Sequence, residues 1–131
     1  METGKPQVTS SRKDITYKPS AWSVHQFEIW SGELLCKAVA LRVDGALLLW
    51  VGSGGAPELS EVALGMPGAG RAALATTLVG ADGAATALAR RLSAALARPV
   101  YVCSGLVFDR FTMPLVESGL ITEIKSRPEC F

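Results

Sequence analysis

The residues best suited to chemistry in this chain are its single histidine, His25, and the adjacent pair Cys103 and Ser104. Nucleophilic catalysis requires a thiol or hydroxyl activated by a nearby base, and a Cys103–His25 or Ser104–His25 pair would meet that requirement. His25, however, stands in an alternating segment two residues before Phe27, a position typical of a structural histidine. The Gly-x-Ser-x-Gly motif of serine hydrolases is also absent. The sequence therefore predicts a protein that is not an enzyme, and catalysis by Cys103 stays open as an alternative.

The other polar residues give little support for a metal or cofactor site. The three cysteines are widely spaced without a Cys-x-x-Cys pair, and no His, Cys, Asp and Glu cluster has metal-ligand spacing. The glycine-rich stretches 52–57 and 65–70 match neither the P-loop nor the dinucleotide-binding pattern. Glu58 and Glu61 are interpreted as surface residues at the entrance of a strand. We expect no cofactor and no metal, and a reducing compartment for the free thiols.

Composition narrows the class of protein further. The chain has 131 residues, of which 49% are hydrophobic, enough for one core and too few for two ordinary domains. Thirteen basic and twelve acidic residues leave a formal charge of +1, which gives no electrostatic reason to expect nucleic acid or a membrane surface as a partner. No apolar run approaches the roughly 20 residues that span a bilayer, and the first residues lack the charged region followed by an apolar region that is typical of a secretory signal peptide. We expect a soluble protein.

The first twenty residues differ from the rest. They contain two prolines and few apolar side chains, so the burial of apolar surface would not offset the conformational entropy lost on ordering them. We interpret residues 1–20 as a flexible tail and residues 21–131 as one domain. The basic residues of the tail are typical of a solvated segment, and a nuclear localisation signal or a nucleic-acid-binding arm is the alternative. These basic residues are Lys5, Arg12, Lys13 and Lys18.

The segment 34–52 predicts a β-hairpin. Apolar residues alternate up to Val43, Asp44-Gly45 suits a type I′ turn, and an unbroken apolar run follows. A two-residue loop pairs Leu41 with Leu48, and Val39 with Trp50, across one face. Because the return strand has no polar side, we expect both of its faces to be covered and Trp50 to lie in the core.

Further strands and helices follow from periodicity. Alternation over 22–30 predicts a first strand, and Ser31-Gly32 can turn it into the next. Shorter strands are predicted at 59–66, 74–79 and 100–106. A helix is expected over 83–97, capped by Asp82 and ended by Pro99. Its apolar stripe comprises Ala85, Leu88, Ala89, Leu92 and Leu96.

The last segment predicts a second helix, capped by Thr112, with Pro114 in its first turn. Its packing face comprises Met113, Val116, Leu120 and Ile124. Leu115 and Ile121 lie away from that face, which leaves more apolar surface than one packing contact needs and suggests a contact with another subunit. The order of elements predicts an α+β domain, in which a mainly antiparallel sheet packs with two helices.

Two groups outside the predicted core are open to two interpretations. Trp22 and Trp30 share a strand face with Gln26 and Glu28, so they either contact a partner or pack at the edge of the core. Three arginines lie off the stripe of the first helix, where they are either solvated or dock an acidic partner; they are Arg90, Arg91 and Arg98. The candidate interface residues are thus Trp22, Trp30, Leu115 and Ile121.

Several of these segments together resemble a known family. Ser23-Val-His-Gln-Phe, the run from Glu33 ending Leu-Leu-Leu-Trp-Val-Gly52, and Thr76-Thr-Leu-Val-Gly80 resemble proteasome assembly chaperone 4. Leu88-Ala-Arg-Arg-Leu, Pro99-Val-Tyr-Val-Cys-Ser and Leu115-Val-Glu follow in the same order as in that family. The resemblance covers residues 23–125 and rests on structural motifs, because the family has no catalytic signature.

The resemblance implies a function. Members of this family pair with the related proteasome assembly chaperone 3 and hold α-subunits of the 20S proteasome while the α-ring assembles, without using ATP. We therefore expect a heterodimeric chaperone in the cytoplasm and possibly the nucleus. A roadblock-like or longin-like adaptor for a GTPase or trafficking complex is the alternative, because a strand meander followed by helices produces a similar pattern.

Overall fold

The computed structural model describes residues 15–32, 34–53, 58–70, 72–81, 83–105 and 111–131. Their elements are β1 (Ser23–Ser31), β2 (Leu34–Val43), β3 (Ala46–Gly52), β4 (Glu61–Met66), β5 (Leu74–Val79), α1 (Ala84–Leu96), β6 (Val100–Ser104), α2 (Thr112–Ser126) and a 3-10 turn (Pro128–Cys130). The α+β fold with a mainly antiparallel sheet and two helices is confirmed. Of the predicted tail, residues 1–14 lie outside the described residues.

The six strands form one open sheet in the order β1-β2-β3-β6-β4-β5. Neighbours are antiparallel except for β3 and β6, which are parallel. β6 thus enters between β3 and β4, in the middle of the sheet, after the chain has passed through β4, β5 and α1. This arrangement leaves β1 and β5 as the two edges.

The β2–β3 hairpin has the predicted register, with Leu41 opposite Leu48 and Val39 opposite Trp50. The type I′ turn is wrong, because Gly45 has a φ of 77° whereas Asp44 does not have the positive φ that a type I′ turn requires there. A negative φ followed by a positive one is the order of a type II turn, in which glycine supplies the second position.

Both helices cover the same face of the sheet. Residues that lie directly opposite each other on neighbouring strands form one continuous hydrophobic core on this face of the sheet. The buried sides of α1 and α2 cover that core. The strand residues of this core are Ile29, Cys36, Ala38, Ala40, Leu47, Leu49, Val51, Ala63, Val100 and Val102. The alanines of β2 and β4 keep this face shallow enough for helices to approach closely.

The predicted packing stripes of both helices face this core. In α1, Leu96 is the only member of the predicted stripe that is not fully buried, and in α2 Val116 and Leu120 are buried between Met113 and Ile124. α1 lies directly against β4, since a Cβ atom on Gly65 would overlap the backbone of Ala89.

The predicted caps need correction. Gly83, not Asp82, occupies the N-cap position of α1, and Asp82 lies outside the described residues. Thr112 is the first residue of α2, and Phe111 occupies its N-cap position.

Candidate interaction surfaces

His25 is part of a small cluster that joins β1 to α2 and to the C-terminal residues. Its Nε2 lies 2.7 Å from Oε2 of Glu123 on α2. Its ring stacks on Phe27, with centroids 5.2 Å apart, and meets the edge of Phe131 at 5.9 Å. Phe131 is fully buried, and Arg42 donates a hydrogen bond to the carbonyl of Glu129 just before it. These contacts give His25 a structural environment.

The pairs that would make His25 catalytic do not form. β2 and β3 separate β1 from β6, so His25 lies about 14 Å from β6 at the usual strand spacing. Through the register, His25 shares the helix-covered face with Val102, and Cys103 therefore points to the opposite face. Ser104 is on the same face as His25 but is buried at the far end of β6. The structure thus separates both candidate nucleophiles from the histidine.

The buried cysteines are also poorly placed for reaction. Burial raises the pKa of the Cys103 thiol above its ordinary value of 9.0, and it raises the pKa of Cys36 in the same way. Since the thiolate is the nucleophile, a raised pKa lowers reactivity near neutral pH. Both thiols are free, as is that of Cys130.

The face of the sheet opposite the helices is apolar and open. No helix or strand of the described chain covers it, and its central side chains are only half-buried. Its aliphatic and aromatic residues run across four strands, β2, β3, β6 and β4; they are Val39, Leu41, Leu48, Trp50, Tyr101, Val62 and Leu64. The sequence predicted cover on both faces for β3 alone, from its unbroken apolar run, and did not predict that the open face extends to β2, β4 and β6.

The position of Trp50 corrects two predictions. Its side chain lies on this open face rather than in the core, where it packs over Gly52 and donates a hydrogen bond from Nε1 to the carbonyl of Glu58 at 2.9 Å. Within the described residues β3 therefore has one covered face, not two. A depression of about 670 Å³ lies beside Trp50 and is bordered by Gln26, Lys37 and Val39.

The four predicted interface residues fall in different places. Trp30 and Leu115, with exposed fractions of 69% and 42%, line one groove of about 320 Å³ between β1 and α2. Ile121 is 42% exposed on α2 outside the lining of that groove, and Trp22 is 60% exposed just before β1. The structure thus brings two of the four together.

The other polar side chains singled out by the sequence separate into different roles. Arg91 forms an ion pair with Glu117 and so ties α1 to α2, while Arg90 is exposed. Glu58 is a surface residue as expected, whereas Glu61 is half-buried, and its buried Oε1 has no hydrogen-bond partner among the residues that the structure describes. The predicted surface position of Glu61 is therefore wrong.

Neither a metal-ligand cluster nor a membrane-spanning helix occurs among the described residues. No group of three or more His, Cys, Asp or Glu side chains there is arranged to hold a metal ion. None of the helices in that part of the chain has the length and apolar character needed to cross a membrane.

Comparison with known proteins gives the class of this fold and then the family. A chain from the crystal structure of a chaperone complex for yeast 20S proteasome assembly superposes with a TM-score of 0.56, at 16% identity, covering 84% of this chain and 94% of that one. At this identity the likeness establishes a shared fold. No curated protein is significantly similar in sequence.

The family is established by the sequence itself. The model of the proteasome assembly chaperone 4 family matches residues 37–106, from β2 through β6 and more than half of the chain. This chain belongs to the proteasome assembly chaperone 4 family. This family is one of proteasome assembly chaperones, a class that is generally non-catalytic.

Proposed function

We propose that this protein is a non-catalytic chaperone that pairs with a related small chaperone, similar to proteasome assembly chaperone 3. The pair would bind 20S α-subunits and promote assembly of the α-ring. The observation that carries the pairing is the open apolar face of the sheet. Family membership and the fold shared with a yeast 20S assembly chaperone complex support the choice of assembly partner.

The chemistry of the open face favours another sheet as its cover. Packed sheets lie about 10 Å apart and interdigitate aliphatic and aromatic side chains, the kinds of residue present here. Glu28 lies directly opposite Lys37 on this face, so the two charges offset each other. A partner with an apolar, nearly neutral sheet face would bury these half-buried side chains without leaving a buried charge unpaired.

The mechanism that we propose is passive. The chaperone pair binds surfaces of α-subunits that are accessible before the ring closes, and it leaves when later subunits compete for the same space. Release therefore requires no nucleotide, in keeping with the lack of a P-loop spacing in the sequence. We propose that the protein acts in the cytoplasm, with the nucleus as a further site, and that residues 21–131 act as one domain.

The first experiment is affinity purification of the tagged protein from cells, followed by mass spectrometry. A small chaperone partner together with free 20S α-subunits, without mature proteasome, is the expected result. Recovery of GTPases or trafficking subunits in their place would overturn the proposal in favour of an adaptor.

Two matched variants locate the pairing surface. Leu41→Lys places a charge at the centre of the open face and is expected to abolish pairing, whereas Ile121→Asp, on α2, is expected to retain it. Thermal unfolding of each variant shows whether the fold persists. Loss of pairing by Ile121→Asp alone would move the interface to α2 and contradict the assignment of the open face.

A further inference from the structure

A second surface lies at the outer edge of the sheet, between β1 and α2, and it falls outside residues 37–106 that match the family. It is the groove of about 320 Å³ to which Trp30 and Leu115 belong. The groove is separate from the centre of the open face, although Glu28 and Trp30 on β1 belong to the edge of that face as well. Its properties point to a particular kind of occupant.

The first property is the free backbone of β1. The two-residue loops that close the β1–β2 and β2–β3 hairpins set which residues of each strand bond to which neighbour. By that alternation, β1 bonds to β2 through Ser23, His25, Phe27, Ile29 and Ser31. The amide and carbonyl groups of the intervening residues point away from the sheet, and no strand of the described chain pairs with them. These residues are Val24, Gln26, Glu28 and Trp30.

The second property is the wall that α2 provides beside that edge. Leu115, Ser118 and Thr122 line the groove on the α2 side, and Glu28 and Trp30 line it on the β1 side. Gly119 lets α2 approach closely, because a Cβ atom there would overlap the side chain of Ile29. A strand added to β1 would place alternate side chains against α2 and against Trp30.

The third property is charge. The lining includes the carboxylates of Glu28 and Glu123 and no lysine or arginine. Glu123 is engaged by His25, while Glu28 has Lys37 opposite it on β2 but forms no ion pair with it or with any other described residue, so its carboxylate can accept a partner on the free side of β1. A basic side chain directly opposite Glu28 on an added strand would be a favourable cross-strand neighbour.

We propose that the β1 edge and the flank of α2 form a docking groove for an extended segment of a partner protein, one that pairs with β1, inserts an apolar side chain beside Trp30 and Leu115, and places a lysine or arginine at Glu28. Main-chain hydrogen bonds supply the register, and the groove and Glu28 supply the selectivity. This surface goes beyond the chaperone pairing proposed above and does not depend on it.

The test uses a phage-displayed library of short linear peptides, selected on the full chain, with a synthetic peptide of the enriched sequence as the probe. We expect enrichment of alternating apolar residues with at least one lysine or arginine. On binding, amide exchange measured by NMR is expected to slow at Val24, Gln26, Glu28 and Trp30. Leu115→Asp is expected to weaken binding roughly tenfold or more in calorimetry.

Two further variants complete the design. Glu28→Lys is expected to weaken the basic peptide, and Leu78→Asp, on the opposite sheet edge, is the matched control expected to leave binding unchanged. Thermal unfolding confirms that each variant is folded. The proposal is overturned if no peptide is enriched, if enriched peptides bind Leu115→Asp and Glu28→Lys as well as they bind the natural chain, or if protection falls on β5. Because Leu41→Lys tests pairing at the open face, failure of one proposal is distinguishable from failure of the other.

Discussion

Cys36 and Cys103 illustrate how single side chains take their properties from the sheet. Both are buried, and they lie on opposite faces of it, since Cys36 belongs to the helix-covered core and Cys103 neighbours Trp50 across the β3–β6 pair. Desolvation disfavours the thiolate at both positions. This environment makes two predictions about the thiols.

The first prediction concerns labelling. In the folded protein at neutral pH, iodoacetamide is expected to modify the half-buried Cys130 well before Cys36 or Cys103, because burial limits both access and thiolate formation. Mass spectrometry of timed samples gives the order, and the chain unfolded in guanidinium is the control in which all three react. Rapid labelling of Cys103 in the folded state would revive the alternative of a catalytic thiol.

The second prediction concerns alkaline pH. Below the ordinary thiol pKa of 9.0 Cys36 is protonated in both states, so burial of the neutral thiol contributes its full stability there. Above pH 9.0 the unfolded chain releases this proton first, and the free energy of unfolding therefore falls as pH rises. Urea unfolding of the natural chain and of Cys36→Ala on either side of that pH should show the difference between them shrinking; a constant difference would contradict the raised pKa.

A glycine supports the packing of α1 on the sheet. Gly65→Ala would push a methyl group into the backbone of Ala89, which cannot move without shifting the helix. We expect a loss of about 1 to 3 kcal/mol in the free energy of unfolding, the usual effect of overpacking. Met66→Ala, at the exposed neighbouring position, is expected to cost less than about 1 kcal/mol. Equal losses in chemical denaturation would show that β4 and α1 are not in close contact.

Among the elements, α2 depends on contacts remote in sequence. Its buried residues Val116 and Leu120 join the same core as α1, and the ion pair of Arg91 with Glu117 links the two helices directly. After α2, a 3-10 turn returns the chain to β1, where Phe131 packs edge-on against Phe27 with ring centroids 5.7 Å apart. The last residues therefore brace the β1 edge of the sheet.

This bracing can be tested by truncating one side chain. Phe131→Ala is expected to lower the free energy of unfolding by about 3 to 5 kcal/mol, the range for a fully buried aromatic residue. Tyr17→Ala, at an almost fully exposed position, is the control and should change stability by no more than about 0.5 kcal/mol. A loss below about 1 kcal/mol for Phe131→Ala in urea unfolding would mean that the C-terminal residues do not support the core.

For the molecule as a whole, binding of a partner at the open face is expected to raise the free energy of unfolding. A partner that binds the folded chain and not the unfolded one stabilises it by about 2.7 kcal/mol at a concentration one hundred times the dissociation constant. We therefore expect the midpoint of thermal unfolding to rise with added partner chaperone for the natural chain and to stay constant for Leu41→Lys. An equal rise in both proteins would place the contact away from the open face.

The local pattern of residues was sufficient to predict most elements and their packing faces. Alternation in β1 and β2, the unbroken run of β3 and the 3.6-residue period of both helices depend on neighbours within a few positions, and these elements all formed. The hairpin register followed from Asp44-Gly45, because loop length determines which residues oppose each other. The family was also identifiable, since its motifs recur in order along the chain.

Long-range arrangement could not be predicted in this way. The insertion of β6 between β3 and β4, the placement of both helices on one face and the resulting position of Trp50 on the open face depend on contacts between residues far apart in sequence. An apolar run shows that side chains need burial, but it does not show whether the same chain or a partner provides the cover. The groove lined by Trp30 and Leu115 likewise forms only because α2 packs beside β1. That packing depends on the free energy of the whole core, which the spacing of residues within one segment does not determine.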